Sequence, residues 1–130
     1  MIGIDTNILA RWILRDDPVQ CVIADEVMGG PIEIPTSVLL EFGWLLESVA
    51  RLSRAAIADS MAAILSIDLA SIPDREGIRW AIERYRQGAD WGDMIHIISL
   101  QTATRFATFD LGITKAAGTT SAVQIQTLTR

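Results

Sequence analysis

The chain has 130 residues, 50% of them hydrophobic and 21% charged, with nine Gly, four Pro and one Cys. That profile fits a single domain over residues 1–130 with a real core, and it excludes disordered, collagenous and low-complexity chains. Eleven Lys and Arg against sixteen Asp and Glu leave a formal charge of -5, so the overall balance attracts neither a polyanion nor an anionic membrane, and any nucleic acid must be held by something other than net charge.

The one cysteine, Cys21, excludes an internal disulfide and a zinc site built from several thiolates. It fits a reducing compartment. The opening Met1-Ile2-Gly3-Ile4-Asp5 has no basic stretch followed by an apolar core, and no segment reaches about 18 uninterrupted apolar residues. A cytoplasmic protein with no secretory leader and no membrane partner is expected.

Short apolar runs of strand type alternate with longer stretches at helical spacing, a pattern that predicts an α/β protein with a parallel sheet between helices. Met1–Ile4 reads as the first strand, closed by Asp5-Thr6-Asn7 and followed by a helical face of Ile8, Leu9, Trp12 and Ile13. Asp17-Pro18 is a cap with proline at the first helical position, and Gly29-Gly30 ends that helix, so residues 18–28 are predicted helical. Pro31–Pro35 is a strand fenced by prolines, with Thr36 as the expected cap of a helix through Val38, Leu39, Phe42, Leu45 and Leu46. Ser53 restarts a helix carrying Ile57, Met61, Ile64 and Leu65, and Leu69–Ile72 is a third strand.

Asp74 is the expected cap of a helix holding Ile78, Ala81, Ile82 and Tyr85, which stops at Gly88. Asp90 opens the next, with Trp91, Met94, Ile95, Ile97 and Ile98 nearly apolar all round and therefore buried. Arg105–Phe109 is a fourth strand and Ala122–Ile125 a weak fifth, with a short helix at Lys115–Ala117 between them. No internal repeat or linker is visible.

The carboxylates at element ends carry the chemistry. Asp5 ends the first strand, Glu41 sits one turn into the helix after the second, Asp93 lies in the first turn of the buried helix, and Asp110 ends the fourth strand. In a parallel sheet the carboxyl ends of the strands share one edge, where ligands bind. Crowded carboxylates repel unless a cation is present, and oxygen ligands of this kind suit Mg²⁺ or Mn²⁺. Against this stands the plainer role of Asp as a turn former or as a dipole partner in a helix's first turn. Glu41 resists that dismissal, because Leu39, Leu40, Phe42, Trp44 and Leu45 surround it in sequence and an unpaired buried carboxylate is costly.

Four stretches in order resemble the motifs of a PIN domain: Met1-Ile2-Gly3-Ile4-Asp5-Thr6-Asn7-Ile8, Ser37-Val38-Leu39-Leu40-Glu41, Ala89-Asp90-Trp91-Gly92-Asp93-Met94-Ile95-His96, and Ala107-Thr108-Phe109-Asp110. The match spans essentially the whole chain, and its small size resembles the VapC toxins of type II toxin–antitoxin pairs. The resemblance implies a PIN-like three-layer fold with a central parallel β-sheet flanked by helices, and a Mg²⁺- or Mn²⁺-dependent endoribonuclease. It implies Asp5, Glu41, Asp93 and Asp110 as the catalytic acids, with Asp5, Asp93 and Asp110 on the metal and Asn7, Thr108 and Asp90 in support. The implied partners are an RNA substrate, a small VapB-like antitoxin and a second copy of the chain in a homodimer. In many relatives a basic residue follows the fourth motif; here Leu111 and Gly112 stand there, and Lys115 is the nearest cation.

Asp90 and Asp93 both pass for ligands by position, but Asp90 sits where a helix begins and reads as its cap, accepting the N–H of residue 92 or 93. His96, three residues after Asp93, reads as a hydrogen-bonded packing residue rather than a base. Arg11 and Arg15 fit either a basic strip for phosphates or a solvated face beside Asp16 and Asp17. Trp12, Trp44, Trp80 and Trp91 read as core or interface, Trp12 and Trp44 as a groove for a partner, and Cys21 as a small buried hydrophobe.

Two other functions compete. A phosphoryl-transfer domain with Mg²⁺ also places Asp after its first strand, but the dehalogenase type needs a second Asp where Asn7 stands, and the receiver type needs adjacent N-terminal acids. A non-catalytic PIN-like binding module has no need of its carboxylates, whereas all four matching positions here are acidic.

Overall fold

The computed structural model describes residues 1–129, which form an α/β protein of seven helices and five short parallel strands. They divide into two compact units, Met1–Arg75 and Glu76–Arg130.

In the first unit, strand β1 (Ile2–Gly3) leads to helices α1 (Thr6–Leu14) and α2 (Pro18–Met28). Strand β2 (Ile32–Glu33) then leads to α3 (Thr36–Ser48) and α4 (Arg54–Leu65), which return the chain to β3 (Ala70–Ser71). The strands lie in the order β1-β2-β3, and Ile32 pairs with Ile2 on one side and Ala70 on the other. Helical crossovers of this length are what parallel neighbours require. The ladder runs through Ile4 N–H to the Glu33 carbonyl at 3.1 Å and Ile34 N–H to the Ser71 carbonyl at 2.9 Å.

Caps explain most of the boundaries. Asp17 accepts the amides of Val19 and Gln20 at 3.1 and 3.0 Å, with Pro18 at the first helical position. Ser53 accepts the amide of Ala56 at 3.1 Å. Thr36 is not the cap of α3 as expected; it is already helical, and Pro35, with no side chain to offer, holds that position. The buried face of α3 is Leu39, Phe42 and Leu46, and that of α4 is Ile57, Met61 and Ile64, the three-and-four spacing of one helical stripe.

Helix α5 (Arg75–Arg86) runs into the second unit, followed by α6 (Trp91–Ile98), β4 (Arg105–Thr108), α7 (Leu111–Ala117) and β5 (Gln124–Thr127). Asp74, just before α5, is in the left-handed region at φ 51° rather than the extended backbone of the caps Asp5, Asp17 and Asp90. The core of this unit includes Ile78, Ala81, Ile82 and Tyr85 of α5 with Trp91, Met94 and Ile95 of α6. The rings of Tyr85 and Trp91 meet edge to face, 5.8 Å between centroids.

Two expectations are corrected. The parallel strands form two sheets instead of one, three strands in the first unit and two in the second. β4 is laddered to β5, with Gln124 N–H on the Thr104 carbonyl at 3.1 Å and Leu128 N–H on the Thr108 carbonyl at 2.7 Å. Strand pairing of this kind leaves no trace in apolar periodicity. The helix expected at Lys115–Ala117 begins at Leu111 instead. Gly112 and the β-branched Ile113 and Thr114 lower its propensity, but the Asp110 cap and the burial of Ile113 and Ala117 four residues apart outweigh that.

Candidate functional site

In the first unit the chain leaves β1 through buried Ile4 and reaches Asp5, whose extended backbone starts α1. Its Oδ1 accepts the amide N–H of Ile8 at 3.2 Å, which places the carboxylate both past a parallel strand's carboxyl end and at the positive end of a helix. Asp5 and Asn7 line a groove of about 270 Å³ with Ile8, Arg11, Gln20 and Ile23.

The arginines beside this groove are neutralised internally. Arg11 is ion-paired with Asp16, and Arg15 takes both oxygens of Asp25 at 2.9 and 2.8 Å. The hydrogen bonds from these guanidiniums hold the Asp16 and Asp25 carboxyls below the ordinary range. Of the two readings of Arg11 and Arg15, the structure favours the paired surface over the basic strip. Cys21 is buried, as expected, and its thiol donates to the Arg11 carbonyl at 3.1 Å.

Glu41 is placed differently from its sequence neighbourhood. Leu39, Phe42 and Leu46 take the buried face of α3, and the 100° step of the helix turns Glu41 and the 48%-exposed Trp44 outward. The penalty of an unpaired buried carboxylate therefore does not arise at Glu41.

In the second unit Asp90 and Asp110 both lie within electrostatic reach of Asp93. Asp90 caps α6 as expected: its carboxylate accepts the Asp93 amide N–H at 2.9 Å. Asp93, half-buried in the first turn, has its carboxyl pushed above the ordinary range by burial. The charge of Asp90 adds to that push, His96 opposes it, and Asp110 adds a smaller push of its own. His96 is exposed in the last turn of α6 and is not the packing residue expected.

Asp110 caps α7, its Oδ1 accepting the Gly112 amide at 2.8 Å while its own amide donates to Thr108 Oγ1 at 3.0 Å. Thr108 and Asp90 are thus bonded directly to the backbone amides of Asp110 and Asp93. Gly112, one of the two residues that stand in the place of a basic one, has a structural reason: a Cβ there would come within 2.9 Å of Asp110 Oδ1. At the other end of α7, Arg84 Nε donates to the Ala116 carbonyl at 2.7 Å, and Gly118 at φ 66° leaves room for that guanidinium, which a Cβ would meet at 3.0 Å. The seven-residue helix α7 is thus held at both ends, by Asp110 at its start and by Arg84 at its end.

Sequence reasoning missed this double capping, although Asp110-x-Gly112 is the signal of an Asx turn. It also passed over Phe109 and Leu111, which flank Asp110 and are each 71% exposed. Of the tryptophans, Trp91 is buried and Trp80 donates its indole N–H to Thr120 Oγ1 at 2.9 Å. Trp12 is half-buried.

The donors are carboxylates, the class that suits Mg²⁺ and Mn²⁺. A raised Asp93 beside two further carboxylates is the electrostatic situation a cation relieves. Among the described residues no three His, Cys, Asp or Glu side chains close into a ready ligand cage. Comparison of the chain with protein-family models, with curated proteins and with solved structures gives no match.

Proposed function

We propose that this chain is a PIN-like, VapC-like toxin of a type II toxin–antitoxin pair, acting as a Mg²⁺- or Mn²⁺-dependent endoribonuclease. The observation that carries the reading is the crowding of Asp93 by Asp90 and Asp110 at the start of α6 and the end of β4. A fold gains nothing from pressing like charges together, and a carboxyl with a raised pKa beside charged partners is a mark of functional sites. The ordered resemblance of all four motifs to PIN domains supports the same chemistry.

Asp93 and Asp110 would hold the cation, which when bound supplies an acidified water and offsets charge on the phosphodiester, and Asp5 remains a ligand through the motif resemblance alone. Asp110 has one oxygen engaged by the Gly112 amide, which keeps its side chain in one rotamer. Asp90 orients the first turn that carries Asp93, and Thr108 fixes the backbone of Asp110. Glu41, exposed on α3, remains an acid through the motif resemblance alone.

A protein partner is supported by the first unit. Val19, Val22 and Ile23 form an exposed stripe on α2, 71%, 67% and 54% accessible, beside the groove that Asp5 lines. A VapB-like antitoxin seated there, and a homodimer of the chain, belong to the proposal. No helix among the described residues is long and apolar enough to cross a membrane.

The test is purified chain incubated with total RNA in Mg²⁺, in Mn²⁺ and in EDTA, with the new ends sequenced. Defined cuts that need the cation and vanish in Asp93→Asn support the reading. Equal cutting in EDTA, or by Asp93→Asn, overturns it.

A further inference from the structure

The charge of the chain is unevenly placed. Residues 1–75 carry five Lys and Arg against eleven Asp and Glu, a balance of -6, whereas residues 76–130 carry six against five, a balance of +1. Most cations are occupied: Arg11 and Arg15 by carboxylates, Arg75 by the carbonyls of Leu65, Ile67 and Ala70, Arg79 by Glu76 and Arg84 by Ala116. Among the described residues Arg51, Arg105 and Lys115 make no ion pair or side-chain hydrogen bond, and the last two lie on either side of Asp110, in β4 and α7.

Strand alternation organises this region. Arg105 and Ala107 are exposed on one face of β4, while Phe106 and Thr108 are half-buried on the other. The register sets Gln124 beside Arg105 and Gln126 beside Ala107 on that face, where Gln124 is exposed and Gln126 half-buried. One residue past the strand, Phe109 offers a 71%-exposed ring immediately before the site acid. Helix α7 lies over the other face, where the hydroxyls of Thr114 and Thr127 are hydrogen-bonded, so its Lys115 is not on the Arg105 face.

We infer that this face of the β4–β5 sheet is the track on which the RNA strand lies, with Phe109 stacking an unpaired base next to the phosphate at Asp110. The inference rests on the nuclease reading and adds the residues that select the substrate. Each residue type matches one part of a nucleotide. An aromatic ring on a sheet stacks a splayed base, carboxamides donate to and accept from base edges, and an unpaired cation neutralises a phosphate. A duplex, with its bases stacked inside, cannot offer Phe109 a ring face. In a chain of charge -5 the track also supplies what net charge does not.

The probe is a short fluorescein-labelled single-stranded RNA of mixed sequence, titrated with the full chain in Ca²⁺ and in EDTA and read by anisotropy, with the matching duplex as competitor. Phe109→Ala weakens binding about tenfold, within the range of one lost base stack, and Phe109→Trp restores it. Arg105→Gln lowers affinity and reduces the slope of log affinity against log salt by about 0.7, whereas Lys115→Gln, on the helix over the opposite face, stays within about twofold of the parent. Arg51→Gln, an unpaired cation in the other unit, stays within about twofold of the parent. Circular dichroism shows each variant folded.

Unchanged binding by Phe109→Ala, equal loss in Arg51→Gln, no saturable binding by the parent, or duplex competing as well as single strand would each overturn the track. So would Phe109→Ala altering the oligomeric state in sedimentation while RNA affinity holds, which would make this face an interface between copies. The two proposals fail separately. Phe109-dependent binding without cation-dependent cleavage sinks the nuclease reading alone, and cleavage lost in Asp93→Asn but untouched in Phe109→Ala at subsaturating RNA sinks the track alone.

Discussion

Asp5 and Asp110 occupy the same local device in two different settings. Each follows a short parallel strand, takes extended backbone and caps the helix that comes next, Asp5 through the Ile8 amide and Asp110 through the Gly112 amide. Around Asp5 the unit is strongly acidic and its nearby arginines are consumed by Asp16 and Asp25. Around Asp110 the unit is nearly neutral, the half-buried Asp93 lies within its electrostatic reach, and Arg105 and Lys115 are left unpaired. A capping aspartate is therefore no site by itself; the charges that fold beside it decide what it can bind.

The sharpest way to break this comparison is at Asp93. Asp93→Asn should drop RNA cleavage to background with the fold intact, while Asp90→Asn, which keeps the cap on the Asp93 amide, should retain most activity. Equal inactivity of the two, at unchanged melting temperature, would show that Asp90 also acts on the cation. Asp90→Ala should cost about 1 kcal/mol for the missing cap, seen as a lower urea midpoint.

Packing gives the next largest effect. Phe42→Ala in the first unit removes a fully buried ring and should cost about 3–5 kcal/mol in denaturant unfolding. Gly118→Ala in the second unit is expected to cost about 1–3 kcal/mol, since it forces a side chain to φ 66° against the Arg84 guanidinium. If Gly118→Ala also weakens Mn²⁺ binding measured by calorimetry, α7 transmits that strain to Asp110.

A smaller effect has the opposite sign. Burial and the Asp90 charge raise the Asp93 pKa in the folded chain, so above that pKa the ionised group destabilises the fold relative to a neutral one. Asp93→Asn should therefore melt higher than the parent at neutral pH. The gap should close as pH falls through the raised pKa toward the ordinary aspartate value, where the parent's carboxyl is also neutral. Millimolar Mn²⁺ should raise the parent's melting temperature and leave Asp93→Asn nearly unmoved. A parent that melts above Asp93→Asn in EDTA at neutral pH would show that the crowding is only apparent. Least of all, Asp25→Asn should barely alter melting, because the Arg15–Asp25 pair is an exposed one.

Elements with strong local signals were legible from the sequence. Asp17-Pro18, Ser53 and Asp90 mark helix starts because a side-chain oxygen reaches an amide two or three residues on, a contact that sequence distance alone allows. The buried stripe of α3 follows from spacing, yet the same spacing should have turned Glu41 outward, and its apolar neighbours in sequence misled because adjacency is not a shared face. Helix α7 was short-read since its glycine and β-branched residues speak against helix, while the contacts that hold it, Asp110 to Gly112 and Arg84 to Ala116, include one that spans 32 residues.

Composition and order of residues determined the α/β class, the caps, the acids at element ends and the net charge, because each depends on residue type or on neighbours within one turn. Only tertiary structure decided that the strands form two sheets, that Arg11 and Arg15 are neutralised, that Asp110 reaches Asp93 electrostatically, and that Phe109 is exposed. Those outcomes depend on distances between groups far apart in the chain, and Coulomb interactions and hydrogen bonds fall off over a few ångströms that sequence does not measure.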